Sequence, residues 1–333
     1  MKKKILILGT GGTIASVSTE EGLKPGTDVE ELLNYVPEVE ELCDLDMQQV
    51  MSLDSTNVLP GDWITLVSLI EKKYDLYDGF LILHGTDTMA YTAAALSYMI
   101  QNSAKPIVLT GSQRPMEHNR TDAKENIYQS IRYLIHKDAF GVNVVFSGKV
   151  IPGTRARKCR SHSLEAFEAA DGRYRGEFKD EKLYIHEWKS CGCSEVTFAK
   201  ELGERVLVWK TAPGMNPQLL LAMADSFDAA VLEGFGLGGL PDVEGCDYFP
   251  VLQKLVEQDK ILVVQTQVLY EGTDMSVYEV GKKYKDQLQV LEAGTMTTEA
   301  VYAKLLWLLG TFEGKEAICH RFVKTIDGDM RKR

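Results

Sequence analysis

Residues 4–13 (KILILGTGGT) determine how the first half of this chain folds, because a short aliphatic run passes directly into a glycine-rich turn. Residues 80–88 (FLILHGTDT) repeat the arrangement, with a polar segment in place of the glycines. Similar short runs lie at Leu45–Met51, Ile107–Leu109 and Val142–Phe146, with longer helical patterns between them. This alternation is typical of a parallel sheet covered by helices. We therefore predict an α/β fold.

The segments between these runs carry helix signals. Thr27 and Glu30 have the spacing of a capping box, and Pro60 opens another helical pattern. Residues 88–100 are alanine-rich and apolar on most faces, which predicts a helix buried between sheet and neighbour. Residues 16–24 lack a periodic pattern, and we expect a loop there.

The length of 333 residues favours two domains, from a soft prior of roughly 150 residues each. The stretch from Ser147 to about Trp209 changes character, and strand and helix patterns resume from Pro213. We predict a larger N-terminal catalytic α/β domain, a linker and a smaller C-terminal α/β domain, at residues 1–190, 191–212 and 213–333.

Composition restricts the partners and the compartment. Subtracting 48 acidic from 37 basic residues gives a net charge of −11, which disfavours nucleic acid as a partner. The six cysteines show no disulfide spacing and indicate a reducing compartment. The apolar runs 5–8 and 93–100 are too short for a signal peptide and a membrane span. We expect a cytoplasmic protein with no membrane partner.

Polar segments follow several predicted strands, at the sheet edge where α/β proteins bind ligands. A hydroxyl nucleophile needs a base or relay beside it, so a threonine near a carboxylate and a lysine is a candidate. Glycines let a substrate approach backbone amides. The segments are 9–15, 53–57, 84–88, 110–115 and the basic run 153–158.

Each segment also has a purely structural interpretation. Residues 9–15 would serve equally as a plain tight turn; Ile14 breaks the dinucleotide fingerprint, and the lysine of a P-loop is missing. Thr86 or Asp87 would serve as a helix cap, and His84 as a packed core residue. A solvated face is the default interpretation of the basic run.

Two of these segments, TGGTI at 10–14 and HGTDT at 84–88, occur together. With them, the chain resembles the cytoplasmic (type I) bacterial and archaeal L-asparaginases of the asparaginase/glutaminase amidohydrolase family, over essentially all 333 residues. The resemblance implies hydrolysis of L-asparagine to L-aspartate and ammonia, without metal or other cofactor. It also implies a homodimer or homotetramer in which a neighbouring subunit partly closes the site.

The resemblance assigns catalytic roles residue by residue. It implies that Thr13 is the nucleophile that forms an acyl-enzyme on the side-chain amide carbon. Thr86, Asp87 and Lys158 would form a second triad that handles proton transfer. Backbone amides near Gly12 and Thr86 would form the oxyanion hole.

Substrate-binding roles follow from the same resemblance. Ser55 and Asp54 would hold the substrate α-carboxylate, and Asp87 would face the α-ammonium as well. Thr86 would also contact the substrate. The carbonyl of Ser112 would orient the leaving amide.

One position departs from the family pattern. The family carries a tyrosine on the loop after the first signature, and Leu23 stands there in this chain. We hypothesise that Tyr278, in the C-terminal domain, reaches the site instead. Arg157 stands where regulated members have a small hydroxyl residue, so activation by asparagine is not predicted from the sequence.

Three alternatives compete with a catalytic asparaginase. Cys191 and Cys193, with His186 nearby, could be a metal site, although their spacing is not that of structural zinc. A non-catalytic asparagine or aspartate sensor would keep the pocket. An amidotransferase-type amidase that releases ammonia for misacylated tRNA is disfavoured, because such proteins carry an additional N-terminal domain before the first signature, which here begins at residue 10.

Overall fold

The computed structural model describes residues 2–19, 22–25, 29–188 and 195–331, with side chains outside 16–25. The chain divides into two compact units, Met1–Lys200 and Glu201–Arg333. That division falls inside the predicted linker 191–212, whose bounds stay a prediction. Among the described residues, no helix combines the length and the apolar character needed to cross a membrane.

The first unit alternates strands with helices along the chain. Its helices are α1 (Val29–Leu33), α2 (Val39–Leu42), α3 (Pro60–Lys73), α4 (Met89–Met99) and α5 (Ala123–Leu134). Its strands are β1 (Lys4–Gly11), β2 (Ser16–Thr19), β3 (Gly22–Pro25), β4 (Asp44–Leu53), β5 (Gly79–Leu83), β6 (Ile100–Gln101), β7 (Pro106–Thr110), β8 (Gly141–Phe146), β9 (Lys149–Pro152), β10 (Ala156–Lys158), β11 (Phe167–Ala169), β12 (Gly176–Lys179), β13 (Lys182–Ile185) and β14 (Thr197–Phe198).

The main sheet of this unit, taken over the described residues, has eight strands in the order β13-β12-β9-β8-β7-β5-β1-β4. The five strands from β8 to β4 are parallel. The runs of β5, β7 and β8 are buried, as in a sheet covered on both faces, whereas the edge strand β4 is only partly buried. The predicted α/β fold is confirmed. The strands β9, β12 and β13 add an antiparallel edge that the sequence did not predict.

Two local predictions have different outcomes. Residues 16–24 were expected to be a loop, but β2 and β3 pair there as an antiparallel ladder, from Ser16 opposite Pro25 to Thr19 opposite Gly22. The loop prediction was wrong because two short strands satisfy each other's backbone groups without any long apolar run. The alanine-rich helix is confirmed as α4, which is buried along nearly its whole length. Thr27, of the predicted capping box, lies outside the described residues.

The second unit is a smaller α/β structure. Its four-stranded sheet has the order β15-β16-β17-β18 in the described residues, and all three pairings are parallel. The strands are β15 (Val206–Lys210), β16 (Ala229–Gly234), β17 (Ile261–Thr266) and β18 (Leu291–Glu292). The helices are α6 (Gln218–Ala222), α7 (Phe249–Glu257), α8 (Glu279–Leu288), α9 (Thr298–Thr311) and α10 (Lys315–Phe322).

The strand order of the first unit determines where a ligand can bind. The connection that leaves β1 leads to β4 on one side, whereas the connection that leaves β5 leads to β7 on the other side. Adjacent parallel strands whose connections diverge open a crevice at their carboxyl ends. The two glycine-containing segments predicted from the sequence follow β1 and β5, so both lie at this crevice.

Candidate active site

The turns after β1 and β5 are in backbone contact. A Cβ atom on Gly12 would lie 2.3 Å from the Gly85 Cα, and one on Gly85 would lie 2.6 Å from the Ser55 Oγ. Gly12 also has a φ of +81°, which L side chains rarely adopt. The glycines therefore allow three turns to pack within van der Waals distance, and Thr13, half-buried, directly follows the first of them.

Lys158 joins the second signature to the basic segment. Its Nζ donates to the Thr86 Oγ1 and to the Asp87 Oδ1, each at 2.7 Å. Thr86 is 4% exposed and the Lys158 side chain 17% exposed, whereas the Asp87 side chain is 56% exposed. The ammonium is thus shielded from water on the threonine side, and the carboxylate is open to a ligand.

Ser55 connects the turn after β4 to the same site. Its Oγ accepts the backbone N–H of Asp87 at 3.2 Å, and its carbonyl accepts the Thr88 hydroxyl at 2.6 Å. Asp54 caps this turn, because its Oδ1 accepts the backbone N–H of Thr56 at 2.8 Å and the Thr56 hydroxyl at 2.7 Å. These two hydrogen bonds lower the pKa of Asp54 below its usual 3.8.

The structure therefore brings together, in one unit, most of the residues that the sequence assigned to the site. Lys158, Thr86 and Asp87 contact each other directly, and Ser55 contacts Asp87. Ser112 is completely buried at the end of β7, where its Oγ donates to the Arg114 carbonyl. The catalytic and binding roles of these residues, Asp54 included, stay predictions.

Gln113 lies in the candidate segment 110–115, but no role was predicted for it from the sequence. Its Oε1 accepts the Thr86 hydroxyl at 3.2 Å, so this hydroxyl accepts from Lys158 and donates to Gln113. The Asp122 carboxylate holds the Gln113 backbone N–H at 2.9 Å, and the Asn126 amide donates to the Gly111 carbonyl at 2.9 Å. The sequence signal for this contact was the polar pair Asp122 and Asn126, which hold the loop of Gln113. It lies in a segment for which no helix was predicted.

His84 has a structural environment, as the sequence indicated. The Gly85 carbonyl, 2.7 Å away, can only accept, which places the ring proton on Nδ1. Nε2 then accepts the Thr92 hydroxyl at 3.0 Å, and Thr92 accepts the Trp63 indole N–H. Burial lowers the pKa of His84 below 6.5, so the ring is neutral.

Tyr278 belongs to the second unit. It occupies the N-cap position of α8, and 64% of its surface is exposed. Leu23 lies in β3, where it pairs with Ser18 of β2. The proposed replacement of the loop tyrosine by Tyr278 stays a prediction.

The described part of the chain contains no group of three or more His, Cys, Asp or Glu side chains that could hold a metal ion. Cys191 and Cys193 lie outside the described residues. The cysteines that the structure describes in thiol form are Cys43, Cys159, Cys246 and Cys319.

Comparisons with known proteins cover both units. Residues 4–190 match the family model "Asparaginase, N-terminal", and residues 205–322 match "Glutaminase/Asparaginase C-terminal domain". An L-asparaginase of Thermococcus kodakarensis is 36% identical over 328 residues, which cover 98% of this chain and 99% of that protein. A glutamyl-tRNA(Gln) amidotransferase component of Pyrococcus furiosus is 33% identical, over 92% of this chain and 72% of that protein.

Solved structures agree in fold. The thermostable L-asparaginase from Thermococcus kodakarensis superposes with a TM-score of 0.92, covering 99% of this chain and 100% of that one. L-asparaginase I from Vibrio cholerae has a TM-score of 0.89 at 27% identity and covers 100% of both chains. The family models and these similarities show that the chain belongs to the asparaginase family of amidohydrolases.

Proposed function

We propose that this protein is an L-asparaginase that hydrolyses L-asparagine to L-aspartate and ammonia through a threonine acyl-enzyme. The observation that carries the proposal is the Lys158 ammonium, which lies 2.7 Å from both the Thr86 hydroxyl and the Asp87 carboxylate at the β1–β5 crevice. The resemblance of the whole chain to named L-asparaginases supports the choice of substrate.

In the proposed reaction, the Thr13 hydroxyl attacks the side-chain amide carbon of asparagine and loses its proton. Backbone amides of the packed turns near Gly12 and Thr86 stabilise the oxyanion, a contribution of roughly 10²–10³ in rate per donor. The Gly12 N–H itself is not one of them, since it donates to the Leu53 carbonyl at 2.9 Å. The amide nitrogen takes up the proton that Thr13 has lost and leaves as ammonia, and the Ser112 carbonyl orients it. An aspartyl ester on Thr13 remains.

Water then hydrolyses the ester. The Thr86 hydroxyl, which contacts Lys158, activates this water and returns a proton to Thr13. Ser55 binds the α-carboxylate, and the exposed Asp87 carboxylate pairs with the α-ammonium. The Asp54 carboxylate contributes indirectly. It accepts the backbone N–H of Thr56 and so fixes the turn that positions Ser55.

Steady-state ammonia release from asparagine and glutamine tests the proposal. We expect turnover of asparagine by the wild type and a loss of about 10⁴-fold or more in Thr13→Ala, since the nucleophile is gone. Thr65→Ala is the matched control, because Thr65 is exposed on helix α3 and its hydroxyl bonds only locally, to the Gly61 carbonyl. Undiminished ammonia release by Thr13→Ala contradicts the mechanism.

We also propose that Tyr278 assists the activation of Thr13, since Leu23 lacks a hydroxyl. Tyr278→Phe should lower kcat by about 10²-fold, in the range of a general acid–base contribution. Tyr184→Phe is the control, because Tyr184 is 49% exposed on β13 of the main sheet. Full activity of Tyr278→Phe rejects this role without affecting that of Thr13.

The compartment and assembly are proposals of the same kind. We place the protein in the cytoplasm, in line with the cysteine thiols, and propose a homodimer or homotetramer. Light scattering after size exclusion, and fractionation of expressing cells, test the two statements. A monomer with full activity would reject the assembly.

A further inference from the structure

The short hairpin that carries Lys158 has an arginine–carboxylate pair near each end. Strands β10 and β11 run antiparallel, with Ala156 opposite Ala169 and Lys158 opposite Phe167. The Phe167 side chain is buried, and its ring lies 5.0 Å from that of Phe146 in the main sheet. The residue opposite Lys158 therefore packs against the core of the main sheet.

The pair at the end away from Lys158 is buried. Arg155 is 1% exposed, in the turn that leads into β10. Its Nη2 donates to the Ala170 carbonyl at 2.7 Å and to the Asp171 Oδ2 at 3.1 Å. Asp171 follows β11 with a φ of +61°, a conformation rarely adopted by residues other than glycine. Arg155 thus ties the start of β10 to the residues that follow β11.

The pair at the Lys158 end has an exposed arginine and a largely buried carboxylate. The Arg160 Nη1 lies 2.7 Å from the Glu168 Oε1, with side chains 41% and 15% exposed. An exposed arginine that loses its partner stays solvated, whereas a buried arginine that loses its partner leaves a charge without solvent. The two arginines, one buried and one exposed, therefore offer a matched comparison on one hairpin.

The turn with Arg155 is also pressed against the helix that follows the second signature. A Cβ atom on Gly153 would lie 2.5 Å from the Ser97 Oγ and 2.6 Å from the Ala93 carbonyl oxygen, both in α4. Helix α4 begins at Met89, directly after Thr86, Asp87 and Thr88. The position of β10 relative to α4 therefore sets where the Lys158 ammonium meets Thr86 and Asp87.

We propose that Arg155 is a positioning residue, which, through Asp171 and the Ala170 carbonyl, holds β10 so that Lys158 reaches both Thr86 and Asp87. The inference rests on the proposed catalytic role of Lys158. The hydrogen bonds described above join Arg155 to Ala170 and Asp171, so we assign it no direct part in the reaction. A displacement of about 1 Å at a reacting group costs about 10²-fold in rate, so a shift of β10 is sufficient.

The test is a double-mutant cycle on asparagine hydrolysis. Arg155→Met should lower kcat by about 10²-fold, with KM changed by less than about threefold, because the substrate contacts at Ser55 remain. In a Lys158→Met background, the same substitution should change kcat by less than about twofold, since Arg155 acts through Lys158. Arg160→Met, which removes the exposed arginine, should leave kcat within about twofold of wild type.

Two milder variants keep the test valid if Arg155→Met does not fold. Arg155→Lys and Asp171→Asn retain a hydrogen-bonding side chain, and each should lower kcat about fivefold in the wild type but not in Lys158→Met. Equal losses in both backgrounds, or a loss carried by KM, overturn the inference. Failure of the proposed function differs, because Lys158→Met alone would then match the wild type.

Discussion

Two lysine–aspartate pairs in this protein have the same separation and opposite surroundings. The Lys158 Nζ lies 2.7 Å from the Asp87 Oδ1, and the Lys304 Nζ lies 2.7 Å from the Asp329 Oδ2. The first pair has side chains 17% and 56% exposed, whereas both side chains of the second pair are completely buried. Distance alone does not distinguish them.

Their neighbours explain the difference. The Lys158 ammonium also donates to the Thr86 hydroxyl at the β1–β5 crevice, and the carboxylate of its partner Asp87 is exposed. Lys304 instead binds the Lys324 carbonyl at 2.8 Å, and the Asp329 Oδ1 accepts the Ile326 N–H at 3.0 Å. The buried pair thus holds the C-terminal residues onto α9, and the open pair is available for substrate and proton transfer.

The two pairs should differ most in their effect on activity. Lys158→Met should lower kcat for asparagine by about 10³-fold, in the range of acid–base catalysis, with a melting temperature within about 3 °C of wild type. Ammonia release and calorimetry measure the two quantities. Lys304→Met with Asp329→Leu is the reference variant, and we expect it to keep kcat. An equal loss of kcat in both variants would contradict the distinction between a catalytic pair and a structural pair.

The next effect concerns stability. Asp329→Ala leaves the Lys304 ammonium buried without its carboxylate, and it should lower the free energy of unfolding by about 3–5 kcal/mol. Urea denaturation measures it. Replacing both residues, by Met and Leu, should recover most of the loss, because apolar side chains need no partner there. A change below about 1 kcal/mol in Asp329→Ala would show that the pair is not structural.

The pH dependence tests the assignment of Lys304 as a buried structural cation. Burial lowers its pKa below the usual 10.5, although Asp329 acts in the opposite direction. The folded state then binds fewer protons than the unfolded state between the lowered value and 10.5. The free-energy cost of burying the Lys304 charge is present in full below the lowered pKa, and it disappears as the pH rises to 10.5. The free energy of unfolding of the wild type, minus that of Lys304→Met, should therefore rise with pH in this window. A difference that falls with pH would contradict the direction of the pKa shift.

The smallest effect belongs to an exposed pair of the first unit. Lys200 lies 2.6 Å from Glu71, with side chains 45% and 39% exposed. Lys200→Met should change the free energy of unfolding by less than about 1 kcal/mol and leave kcat unchanged. Urea denaturation in high salt provides the check, since screening should remove even this difference. A larger loss would mean that short distance outweighs exposure.

The sequence predicted the parts of the site that follow strands. Thr13, Ser55, Thr86 and Asp87 each come after an aliphatic run, and parallel strands place such residues at one edge. Lys158 could be assigned only by resemblance, because a basic run is typical of a solvated face and its partner Asp87 lies 71 positions away.

The missed features depend on tertiary contacts. Gln113 meets Thr86 only because Asp122 and Asn126 of the α5 region hold the intervening loop. The antiparallel edge formed by β9, β12 and β13 lies where the sequence pattern changes character. No periodic apolar run predicts these strands. The ladder of β2 and β3 is short and local, and its backbone pairing leaves no apolar signature.

Acylation of Thr13 by asparagine is the step on which the proposed mechanism depends. Intact-protein and peptide mass spectrometry of enzyme quenched in acid during turnover can detect this step, with Thr13→Ala as the reference. We predict an aspartyl adduct on the peptide that contains Thr13, and no adduct in Thr13→Ala. An adduct on another residue, or ammonia release by Thr13→Ala at the wild-type rate, would contradict the mechanism.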